Sequence, residues 1–84
     1  MSQKCPLYKQ VDLLKDFPEH KLLAKDLVTP IEYLESPEPG VSNGYYVEAF
    51  NAIGKTIAVF IVEEDALEPL TEHDVFSKRT LETA

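Results

Sequence analysis

The chain has 84 residues, 44% of them hydrophobic, and carries fifteen acidic against eight basic side chains for a formal net charge of −7 at pH 7. This length accommodates one domain, and the apolar content excludes a wholly disordered chain. The acidic balance argues against nucleic acid and anionic membrane surfaces, both of which are recognised through clustered Lys and Arg; the tightest basic pair is Lys78-Arg79, near the C-terminus.

A single cysteine, Cys5, leaves no internal disulfide and no multi-cysteine zinc site. Residues 1–10 lack the apolar segment of a secretory signal. The longest apolar run, six residues at 57–62, falls far short of the roughly 20 needed to span a bilayer. The expectation is a cytoplasmic protein without a cofactor.

Residues 1–6 read as a flexible lead-in. The stretch 7–14, LYKQVDLL, has strand composition, with Leu7, Lys9, Val11 and Leu13 on one face and Tyr8, Gln10, Asp12 and Leu14 on the other. Neither face is cleanly apolar. Asp16 ahead of Pro18 signals a turn, and 15–26 is expected as a loop with one helical turn around Leu22, Leu23 and Leu27. Residues 27–35 are rich in strand formers, but Pro30 has no N–H for a ladder, which places it at an edge or a bulge; an edge strand is expected.

SPEPGVSNG, at 36–44, is the clearest loop. Residues 45–50 and 55–62 then form the two arms of a hairpin around Asn-Ala-Ile-Gly at 51–54, with Gly54 in the left-handed conformation such a turn requires. An acidic turn at Glu63, Glu64 and Asp65 leads to a short apolar end at Ala66, Leu67 and Leu70. The tail, 71–84, opens on Thr71 and Asp74 at capping spacing, and is expected as either a short helix or a disordered end. About five short strands, little helix and frequent Pro/Gly punctuation predict a small all-β barrel over 7–70, since closure removes exposed sheet edge.

LLKDFPEHKLLAKD at 13–26, followed by YYVEAFNAIGKTIAVFIVEEDALEPL at 45–70, resembles a family of small bacterial and cyanobacterial proteins known only as a domain of unknown function. The matching features are Leu14-Lys15-Asp16-x-Pro18-Glu19, Leu22, Asp26, Tyr45-x-Val47-Glu48, Gly54-Lys55-Thr56-Ile57-Ala58-Val59 and Leu67-x-Pro69-Leu70. The resemblance implies an SH3-like barrel. It implies no activity; stand-alone members suggest an adaptor or an antitoxin-like companion of a neighbouring gene's product. Relatives tend to carry a Gly-Asp-x-Gly turn where this chain has Lys25-Asp26-Leu27-Val28, so that turn must run differently here.

Catalysis needs a nucleophile, a base and an orienting group within mutual reach. His20 in a Lys-rich loop, His73 in the tail and Cys5 in the lead-in read as surface or inert groups, and no enzyme is expected. Glu63, Glu64 and Asp65 are consecutive and point apart, so no metal site is expected. The aromatic side chains offer an alternative function, a groove for a peptide or small ligand formed by Tyr33, Tyr45 and Tyr46 with Tyr8 and Phe50 nearby. The plainer reading is that most of them fill or rim the core.

Strand 56–62 is apolar on both faces, whereas a half-buried strand alternates. If Ala58, Phe60 and Val62 enter the core, Ile57, Val59 and Ile61 form an outer surface flanked by Tyr46 and Phe50. Leaving each of these exposed forgoes about 1.5–3 kcal/mol of burial. The expected covers, in order, are the chain's own ends (Leu7 and Tyr8, or Val75, Phe76 and Leu81), a second copy in a homodimer, and another protein; tight barrel curvature is a further option. The function this predicts is a non-catalytic protein–protein interaction module.

Overall fold

The computed structural model describes residues 5–81. Five strands, β1 (Val11–Leu13), β2 (Leu27–Leu34), β3 (Gly44–Phe50), β4 (Thr56–Glu63) and β5 (Leu67–Pro69), make one antiparallel sheet in the order β4-β3-β2-β1-β5. Single 3-10 turns at Pro18–His20 and Glu64–Ala66 are the helical elements among the described residues. The fold is all-β, as the sequence predicts.

The sheet bends about β2. Its first residues pair with β1 (Asp12↔Leu27, Val11↔Val28), and the remainder pairs with β3 from Thr29↔Glu48 to Leu34↔Gly44. A bulge between Pro30 and Glu32 separates segments of the β3 ladder. β5 returns to lie beside β1, so Val11, Leu13, Val28 and Leu67 from one half share a core with Tyr45, Val47, Phe60 and Val62 from the other. No ladder joins β4 to β5 among the described residues, so the expected SH3-like barrel is a curled sheet with an open seam.

The β3–β4 hairpin forms where the sequence places it. Gly54 has φ +87°, its N–H donates to the Asn51 carbonyl at 2.9 Å, and the Asn51 side-chain oxygen accepts from the N–H groups of Ile53 and Lys55. At the other end Gly44 is required by space: a Cβ there would lie 2.6 Å from the Val62 carbonyl oxygen. The ambiguous 7–14 stretch narrows to β1, with Val11 and Leu13 inward.

Two expectations need correction, and a third loses one of its two alternatives. β2 is central rather than an edge strand; Pro30 is tolerated because it sits at the bulge, where its carbonyl accepts from the Tyr8 N–H at 2.7 Å. The lead-in is structured from Cys5, which is buried in the core, so the folded body begins ahead of residue 7. Of the two alternatives for the tail, a short helix or a disordered end, the helix does not form through residue 81. Thr71 and Asp74 close an isolated turn, the Thr71 N–H donating to the Asp74 carboxylate at 2.6 Å, and residues 75–81 have no regular secondary structure. Residues 82–84 lie outside the described residues.

Candidate interaction surface

The two faces of β4 meet different surroundings. Phe60 and Val62 are buried and Ala58 is half-buried against the core. The loop between β1 and β2 covers this inner face: the Phe17 ring lies 5.4 Å from that of Phe60, and the His20 ring stacks on Phe60 at 4.1 Å with 17° between planes. His20, expected at the surface, is half-buried and serves packing. Leu22 closes the same corner through backbone hydrogen bonds with Phe17.

On the outer face, Val59 is 44% exposed and Ile61 65% exposed. Tyr46 lies directly across from Ile61, and Glu48 across from Val59, so Tyr46, Ile61 and Val59 form a continuous apolar patch. Phe50 and Ile57 are exposed at the hairpin-loop end, where the register shifts between Ala49 and Phe50 and Ile57 is the extra residue of a bulge. The structure therefore brings together the five residues of the expected surface, with Ile57 displaced from strict alternation.

The aromatic groove is not brought together. Tyr45 and Tyr46 are successive strand residues and point to opposite faces. Tyr45 is fully buried, its ring 5.1 Å from that of half-buried Tyr33. Its hydroxyl accepts from the Cys5 N–H at 2.9 Å and donates to the Cys5 carbonyl at 3.2 Å, and burial pushes its pKa up. Tyr8, near the same end of the chain, is exposed and not part of a groove with them.

Among the described residues neither end of the chain covers Tyr46, Val59 and Ile61, so the first-ranked expectation, self-cover by the ends, is met only at Phe50 and Ile57. Val75 is 91% and Phe76 68% exposed, Tyr8 is exposed, and Leu7 packs against the core instead. The tail reaches the hairpin-loop end only. Phe76, Arg79 and Leu81 form one wall of a cleft whose other wall includes Phe50 and Ile57. It is held there by Arg79, whose Nε donates to Asp26 Oδ1 at 2.9 Å and whose Nη2 pairs with Asp26 Oδ2. Burial alone would raise the Asp26 pKa, but the hydrogen bonds from Arg79 and from the Leu23 N–H outweigh it and hold the carboxyl below its ordinary value.

The surface also has an acidic rim that residue-by-residue reading missed. Glu32 flanks Tyr46, Glu48 flanks Val59, and Glu63 ends β4. β2, β3 and β4 contain no Lys or Arg at all. That signal was available in the sequence as three strand segments whose only charges are glutamates.

Elsewhere, Asp12 faces Glu68 across the β1–β5 ladder; burial and then the Glu68 charge raise its pKa. His73 is exposed beside Glu72. Among the described residues, no group of three or more His, Cys, Asp or Glu side chains is arranged to hold a metal ion, and no helix is long and apolar enough to cross a membrane. No family model, curated protein or solved structure matches the chain.

Proposed function

We propose that this chain is a non-catalytic protein–protein interaction module, an adaptor or companion protein that engages its partner through the outer face of the β3–β4 hairpin. The observation that carries this reading is the contiguous exposed patch of Tyr46, Val59 and Ile61, which no described segment of either end covers. Exposed apolar patches rimmed by charge are characteristic of docking surfaces. Outer-face side chains are also cheap to replace without loss of the fold, so selection for stability alone does not account for them.

The test is site-specific photo-crosslinking in cells. A photoreactive phenylalanine analogue at position 61 should give a discrete protein adduct, whereas one at position 14, exposed on another part of the surface, should not. A Val59→Lys change should remove the adduct without moving the urea unfolding midpoint. Equal adducts from both positions, or none from 61, would defeat the proposal, as would unfolding by Val59→Lys.

A further inference from the structure

β4 lies at one edge of the sheet, and its backbone there is oriented for pairing. The Glu64 N–H donates to the Asn43 carbonyl at 3.0 Å, which makes Asn43 and Glu64 a hydrogen-bonded pair in continuation of the β3–β4 ladder. In an antiparallel ladder, bonded and non-bonded pairs alternate. Tyr45/Val62 and Val47/Phe60 are then bonded pairs, while Gly44/Glu63, Tyr46/Ile61 and Glu48/Val59 are not. The N–H and C=O groups of Val59, Ile61 and Glu63 consequently point away from β3, toward the free edge. These are the residues whose side chains form the exposed face.

The two edges of the sheet are finished differently. β5 is three residues long and ends in Pro69, a blunted edge. β4 is eight residues long, has no proline, and carries no charge between Thr56 and Glu63. Such an edge accepts an added strand: main-chain hydrogen bonds supply affinity, and alternate side chains supply specificity.

Resting on the reading above, we infer that the partner contributes an extended segment that adds antiparallel to β4, with aliphatic side chains beside Ile61 and Val59 and a Lys or Arg beside Glu63. Read from its N-terminus, the segment has a basic residue, any residue, an aliphatic, any residue and an aliphatic. Charge selects this occupant over a second copy. The outer face offers Glu32, Glu48 and Glu63 and no cation from β2, β3 or β4, and each chain carries a net charge of −7. Pairing β4 with itself brings two such faces side by side, whereas a basic segment neutralises the rim. The tail is already engaged elsewhere, by Arg79 on Asp26.

The experiment selects a displayed library of random nine-residue peptides on the immobilised full-length chain, then measures amide exchange with the best synthetic peptide. The expected peptides are enriched in Lys or Arg and alternate with aliphatics. They should slow exchange of the Val59 and Ile61 N–H groups at least tenfold. Ile61→Lys and Glu63→Lys should each weaken binding at least tenfold. Ile61→Pro, which removes an edge-facing N–H while keeping an apolar ring, should do the same; the exchange measurement decides the matter if that variant does not fold. Selected peptides without basic enrichment, or without protection at Val59 and Ile61, overturn the strand-addition inference while leaving the interaction surface intact if Ile61→Lys still weakens them. Binding indifferent to Ile61→Lys, or an empty selection, overturns the inference; the former counts against the surface as well. Protection at the same N–H groups in the absence of peptide, rising with protein concentration, makes a second copy the occupant and overturns the basic partner.

Discussion

Tyr45 and Tyr46 are adjacent, chemically identical and oppositely employed. Tyr45 is enclosed in the core and holds both backbone groups of Cys5 through its hydroxyl, while Tyr46 stands on the outer face across from Ile61. The same division runs down β4, where Phe60 and Val62 are buried and Val59 and Ile61 are exposed. Composition does not distinguish the two faces; cover does. The β1–β2 loop brings Phe17, His20 and Leu22 over the inner face, and no described segment does the same for the centre of the outer one. The difference teaches that an apolar side chain in this hairpin stabilises the fold only where another part of the chain has been spent on covering it.

The sharpest way to break this comparison is to truncate one neighbour and charge the other. Phe60→Ala removes a buried ring from the contact with Phe17 and His20 and should cost about 3–5 kcal/mol. That approaches the whole stability of a domain this size, about 4–12 kcal/mol. Ile61→Lys should leave the urea midpoint within about 0.5 kcal/mol of the parent, since its side chain points to solvent. Equal losses from the two changes would show that the outer face is packed in solution.

The tyrosines give the next largest contrast. Tyr45→Phe keeps the ring but removes the two hydrogen bonds between the hydroxyl and the Cys5 backbone, a loss of about 0.5–1.5 kcal/mol for each. The Cys5 thiol should become more reactive toward a thiol reagent as the N-terminal segment loosens. Tyr46→Phe should change neither the urea midpoint nor the labelling rate.

Much of this architecture was legible in the sequence because it is encoded locally. Asn51 and Gly54 specify their own turn, and the apolar strand 56–62 announces itself by composition. What was illegible depends on distant partners. Pro30 reads as an edge or a bulge residue, and the choice of a bulge in a central strand depends on pairing with Val47 and on the Tyr8 N–H. Cys5 reads as a loose end, because its partner lies forty positions away in Tyr45. His20 reads as solvated in its Lys-rich neighbourhood, and only the fold brings Phe60 beneath it. The outer surface was identifiable as residues, but the orientation of its edge N–H groups required the ladder. The tyrosine groove failed because strand alternation sends Tyr45 and Tyr46 to opposite sides, a constraint that local composition does not express.

The smallest expected effect bears on the boundary between covered and uncovered surface. Arg79 holds the tail against Asp26, so that Phe76 and Leu81 flank Phe50 and Ile57. Arg79→Ala should cost at most about 1 kcal/mol at pH 7, because the pair is partly solvated and screened. The sign of its pH dependence follows from Asp26, whose folded pKa lies below its ordinary value. The stabilisation is fully present above the unfolded carboxyl pKa, near 3.9, and disappears as pH falls through the lower folded value. Parent and variant should therefore differ in urea midpoint at pH 7 and converge when both are compared in more acid conditions. In the same variant the tail's release should expose Phe50 and Ile57 further, widening the hairpin-loop end of the patch beside Tyr46, Val59 and Ile61. Faster solvent labelling at Phe50 and Ile57, with no change at Val59 and Ile61, would locate the boundary of the cover between them; unchanged labelling at all four would mean that the tail shields neither end.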